Sequence, residues 1–136
     1  MGWYSTRTER VTAWIFGQWR WRRQLGLCPG AKRAWKTVRL LPDLKRSRQG
    51  WLACGEVSLL EWDGDSYMGH PHDSTQGQPY HYSEEFRKRF PGVDRMFVFH
   101  IMRQGDRPTG GGPTFTIVVS AEARTLLAVY ESEWVA

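Results

Sequence analysis

Three histidines and an aspartate crowd one polar tract of the chain: His70, Pro71, His72, Asp73 and, further on, His81. A His-x-His pair on extended backbone sets two imidazoles on one side, and His81 with Asp73 would complete a first-row metal site. Pro71 favours that extended backbone. The spacing matches no zinc pattern, however, and tracts of this composition are commonly plain loops, so neither metal nor cofactor is expected. His100 stands in an apolar run between Phe99 and Ile101, where an aliphatic residue would pack more simply. Facing a cavity, it could act as general base or hydrogen-bond donor, with Tyr80, Tyr82 or Tyr130 at the border. Packed inward, it is an ordinary core histidine. Cys28 and Cys54 have no histidine partner and no CxxC spacing, so neither a thiol nucleophile nor a disulfide framework is indicated, and an intracellular, cytoplasmic setting is expected. Glu56, Glu61, Asp63 and Asp65 gather about an expected turn, where solvation gives no reason for two carboxylates to divide acid and base roles. Gly110-Gly111-Gly112 lacks the Lys-Ser/Thr and helix of a phosphate-binding loop and reads as a hairpin connection. The balance leans against an enzyme.

The stronger chemical signal is electrostatic. Over 136 residues the formal charge is +5, yet residues 1–50 hold twelve basic and two acidic side chains, whereas residues 51–136 hold seven basic and twelve acidic. A segregated charge draws in polyanions. Trp14, Trp19, Trp21 and Trp35 are interleaved with these cations, most densely in Trp19-Arg20-Trp21-Arg22-Arg23. Arginine contacts phosphate while an indole face stacks on an unpaired base, so the composition suits RNA or single-stranded DNA. In that reading Arg20, Arg22, Arg23, Lys32, Arg33, Lys36 and Arg39 neutralise phosphate and Trp19 or Trp21 stacks. The competing reading puts the indoles in the core and the arginines on a solvated face.

These residues must be held by elements, and the chain suggests one domain. At this length a fold removes roughly two-thirds of the unfolded surface from water without disulfides. No apolar run is long enough to cross a bilayer and no leader peptide is evident, so a soluble, unprocessed protein without membrane contact is expected. Thr6-Arg7-Thr8-Glu9 has the form of a capping box, starting a helix with Val11, Trp14, Ile15, Trp19 and Leu25 at helical spacing and ending at Cys28-Pro29-Gly30. Ala31 to Leu41 suggests a second helix stopped by Pro42, with Trp35, Val38 and Leu41 or Leu44 inward. Both segments also admit a strand reading. Lys45 to Gly50 reads as a surface loop. Trp51 to Trp62 is an expected strand, Asp63-Gly64 a hairpin turn, and Ser66 to Gly69 the return strand. Residues 70–82 form the longest loop. Ser83 should cap a short helix closed by Pro91-Gly92, its Arg87, Lys88 and Arg89 explained by the helix dipole. Arg95 to Gln104, Thr114 to Ser120 and Thr125 to Trp134 then form an antiparallel meander.

This order is α+β, with N-terminal helices packed on a curved antiparallel sheet. It resembles the NTF2-like cone fold, a resemblance of element order that implies a pocket between sheet and helices but no activity. If residues 11–41 are strands instead, an eight-stranded antiparallel barrel results, and Gly17-Gln18-Trp19 resembles the GxW of lipocalins, which implies an arginine over the indole, here Arg124. Three functions remain open: a nucleic-acid binder, a small-molecule pocket protein or enzyme using His100, and an interaction module of immunity or antagonist type that docks on an acidic protein.

Overall fold

The computed structural model describes residues 7–69, 78–104 and 111–135, with side chains from residue 15 onward. Three helices and five strands make an α+β fold: α1 Arg7–Leu27, α2 Ala31–Val38, β1 Trp51–Trp62, β2 Tyr67–Gly69, α3 Ser83–Arg89, β3 Arg95–Gln104, β4 Gly112–Ser120 and β5 Leu126–Trp134. Residues 11–27 and 31–38 are therefore helical, and no part of 11–41 is a strand. The sheet is antiparallel, in the order β2-β1-β3-β4-β5, and ends openly at β2 and β5. That excludes the eight-stranded barrel, and with it the lipocalin likeness: Trp19 is exposed on α1, and Arg124 is exposed in the β4–β5 turn.

Each strand reads by alternation, because successive side chains point to opposite faces. Phe97, Phe99 and Ile101 of β3, with Phe115, Ile117 and Val119 of β4, pack beneath Trp21, Leu25, Ala34, Trp35 and Val38 of α1 and α2. The alternate set, Met96, Val98, Val118 and Ala128, packs under Phe86 and Phe90 from α3 and the residue after it. Helices thus cover both faces, whereas the element order had suggested one. The likeness to the NTF2-like cone stays one of element order, since no single helical layer collects all three helices.

The inward stripe of α1 differs from the spacing expected of it. Trp21, Leu25 and Cys28 are buried, while Ile15, Phe16, Trp19 and Leu27 are exposed. Two glycines explain the choice. An ideal Cβ on Gly17 would stand 2.5 Å from the Leu52 carbonyl oxygen, and one on Gly55 would stand 2.3 Å from Trp21 Cε3. The α1 backbone thus comes against β1 at Gly17, facing Leu52, and the Trp21 ring occupies the space over bare Gly55, inward against Trp35 at 5.4 Å between ring centroids. Gly17→Ala and Gly55→Ala should each destabilise by about 1–3 kcal/mol through overpacking. Gly26→Ala, on the same helix with nothing within 4 Å, should stabilise by up to about 1 kcal/mol through helix propensity. Urea midpoints of the three variants test this, and equal midpoints for Gly26→Ala and Gly55→Ala would contradict the packing.

The capping-box residue Thr6 lies outside the described residues. Ser83 does not cap α3: it is the helix's first residue, and it accepts from Tyr67 N at 3.0 Å and donates to the Tyr80 carbonyl, tying α3 to β2. The tract Lys45 to Gly50 is not a loose loop. It holds a 3₁₀ turn at Arg46–Arg48 in which Ser47 is 1% exposed and donates to Leu44 O at 2.6 Å.

Candidate functional site

The basic residues of α2 split into two stripes. Lys32 and Lys36 are one turn apart and Arg39 follows them on the same side, while Arg33 lies on the neighbouring stripe with Thr37, whose hydroxyl donates to Arg33 O at 3.0 Å. On α1, Arg22 stands beside the buried Trp21. Together these residues border a cleft of about 560 Å³ lined by Gln18, Trp21, Arg22, Leu25, Lys32, Trp35, Lys36, Arg39, Arg48, Gly50, Leu52, Ile101 and Arg103. Six of those side chains are cationic and none is a carboxylate.

Two of the six, Arg48 and Arg103, were not among the residues the sequence singled out. Arg48 Nη1 donates to the carbonyls of Arg39 and Leu41, at the end of α2 where the helix dipole favours a cation. Arg103 continues the inward alternation of Phe97, Phe99 and Ile101, so its strand position was a legible signal: a charge where an apolar residue belongs. It is buried, and its Nε donates to Ser47 O at 2.6 Å. Burial pulls its pKa below the ordinary arginine value. Among the described residues it makes no ion pair, and a cation taken out of water without a carboxylate favours an anionic ligand.

The structure separates the remaining candidates. Trp21, at 6% exposure, is a core residue and cannot stack on a base; Trp35 is likewise buried. Trp19, at 55%, is exposed, with the Arg23 guanidinium 5.6 Å from its ring centroid. Arg20 and Arg33 are exposed outside the cleft, Arg20 lying close enough to Cys54 to oppose the upward push that burial and Glu56 exert on that thiol. Of the basic half, Arg46 pairs with Glu131 across to the acidic half; among the described residues no other ion pair joins the two. Among the described residues the cations of the cleft therefore have no carboxylate partner.

The cations of α3 have local side-chain partners. Arg87 pairs with Asp94 at 2.8 Å, Lys88 with Glu84 at 3.5 Å, and Arg89 donates to Tyr130 OH at 2.8 Å. Of the carboxylates about the turn, Asp63 has a structural role: it accepts from the amides of Asp65 and Ser66, which hold its carboxyl below the usual range. His70, His72 and Asp73 lie outside the described residues, as does Gly110. His81 packs against the rings of Tyr80 and Tyr82, and no cluster of metal-ligating side chains occurs among the described residues. His100 lies on the opposite face from the cleft, with its Nδ1 3.2 Å from Thr116 Oγ1. No described helix is long and apolar enough to cross a membrane.

Comparison of the chain with protein-family models, curated proteins and solved structures finds no match.

Proposed function

We propose that this protein is a non-enzymatic binder of RNA or single-stranded DNA, and that its sugar-phosphate backbone lies along the cleft between α1, α2 and β3. The observation that supports this best is six cations around one cleft with no carboxylate among them, one of the six buried in its wall. Arg22, Lys32, Lys36, Arg39 and Arg48 reach phosphates from the rim, and Arg103 supplies a fixed charge below them. Trp19, exposed on the same helix as Arg22, offers a ring on which an unpaired base stacks. A flexible single strand suits this arrangement better than a duplex, because phosphate contacts and a stacked base must be met at once.

Fluorescence anisotropy with a labelled oligouridine, repeated between about 50 and about 300 mM salt, tests the proposal. Four to six phosphate contacts give a slope of log K against log salt of about −3 to −4 for a single strand. No binding at low ionic strength, or binding insensitive to salt, would refute it. Recovery of an acidic protein and no nucleic acid would favour the interaction-module reading instead.

A further inference from the structure

The other face of the sheet carries a cavity of opposite electrostatic character. It measures about 610 Å³ and lies between a strand floor that includes Glu56 and His100 and a wall that includes Tyr80, Tyr82, Glu85 and Phe86. We propose that this cavity binds a small amine, its ammonium group held by Glu56 and Glu85 and its apolar body against the aromatic wall.

The floor follows from strand register. Glu56 pairs with His100, His100 with Thr116, and Thr116 with Tyr130, so four polar side chains stand in one row across β1, β3, β4 and β5. Directly paired residues keep their Cβ atoms about 5 Å apart, so the row presents a continuous strip of acceptors and donors. The contact between His100 Nδ1 and Thr116 Oγ1 orients the imidazole within it.

The wall is aromatic. Tyr80 lies 5.5 Å from Phe86, Tyr82 lies 6.3 Å from Phe86, and Phe86 stacks on Tyr130 at 6.3 Å with 9° between planes. Ring faces attract cations within about 6 Å of the centroid. One ring is already used in that way, with the Arg89 guanidinium 5.1 Å from the Tyr130 centroid.

Charge selects among ligands. No lysine or arginine lines the cavity, and it holds two carboxylates, one from β1 and one from the first turn of α3. Among the described residues neither Glu56 nor Glu85 is in an ion pair, whereas Glu84 pairs with Lys88 and Glu61 with Arg95. An anion entering here meets two like charges, and a neutral ligand uses the rings but gains nothing from the two glutamates, which are exposed at the cavity's edge. A cation on an apolar body satisfies both, and the volume is that of a small-molecule site.

Tyramine, 4-ethylphenol and 4-hydroxyphenylacetate share one aromatic body and differ in charge, so titrating each into the full chain and following the amide resonances of His100, Thr116 and Tyr130 isolates the ammonium's role. Tyramine is expected to bind saturably, with the neutral and anionic analogues at least about tenfold weaker. The double substitution Glu56→Gln/Glu85→Gln should weaken tyramine by at least about tenfold while leaving the thermal midpoint and oligouridine binding close to those of the unsubstituted protein. Equal affinity for the three analogues, no saturable shift with tyramine, or unchanged tyramine binding by the double variant would overturn the proposal. Because the cleft lies on the other face, these outcomes are independent of the nucleic-acid result.

Discussion

Truncating Trp21 to alanine should cost about 3–5 kcal/mol of stability, the usual penalty for deleting a buried tryptophan, whereas Trp19→Ala should leave stability nearly unchanged. The two indoles are two residues apart in sequence, yet one is core and the other is exposed. Trp21 contacts Trp35 at 5.4 Å and Phe99 at 6.2 Å and covers Gly55, so its removal opens a void that helix and sheet together would have to close. Trp19 meets solvent and Arg23, and its loss exposes little new surface. Its effect should appear in binding: a stacked base is worth about 1–3 kcal/mol, so Trp19→Ala should weaken oligouridine by roughly 5- to 150-fold. Urea denaturation and anisotropy on the same two variants read both effects. A Trp19 variant that binds like the unsubstituted protein would remove stacking from the proposal while leaving the phosphate contacts intact.

Reversing two charges at the cleft should have a comparably large effect on binding with little on folding. Lys32 and Lys36 are exposed, one turn apart on α2, and border the cleft together. Lys32→Glu/Lys36→Glu exchanges two attractions for two repulsions. The affinity should fall by about two orders of magnitude and the salt slope should shrink by about 1.4, two single-strand contacts at about 0.7 each. The helix dipole barely registers the change, since an acid near the start of α2 is favourable and one near its end is not. Stability should therefore stay within about 1 kcal/mol. Lys88→Glu on α3, across the sheet, is the control and should change affinity by less than about threefold. If Lys88→Glu weakens binding as much as the α2 pair, net charge rather than the cleft governs it.

Much of the element order was legible from local chemistry. Pro29-Gly30 follows the end of α1 and Asp63-Gly64 turns β1 into β2, each through a backbone restriction carried by the residue itself, whereas α2 ends at Val38, before Leu41, and Pro42 opens a 3₁₀ turn, Pro42–Leu44, instead of stopping the helix. Both faces of Arg95 to Gln104 are apolar, which suits a central strand covered on each side, and β3 is central with helices on both faces. The roles of Ser83 and of the tract holding Ser47 are not legible locally because their partners are distant: Tyr67 N lies sixteen residues from Ser83, and Arg103 reaches Ser47 O across fifty-six. The cleft was half legible for the same reason. Arg22, Lys32, Lys36 and Arg39 advertise themselves by clustering in sequence, Arg103 only by standing at an inward strand position, and folding alone brings Arg48 and Arg103 to the same cleft.

The chain by itself determined the charge segregation, the order of the elements from Trp51 onward and the inward alternation of the strands, because each depends on residues near one another in sequence; that residues 11–27 and 31–38 are helices and not strands was left to the fold. Only the tertiary structure decided which indole is buried, that α3 crosses to the second face, and that Glu56, His100, Thr116 and Tyr130 form one row. Those outcomes depend on register between distant strands and on a close approach at Gly17 and Gly55. A side chain's direction is set by what packs against it, and neither quantity is carried by any local run of residues.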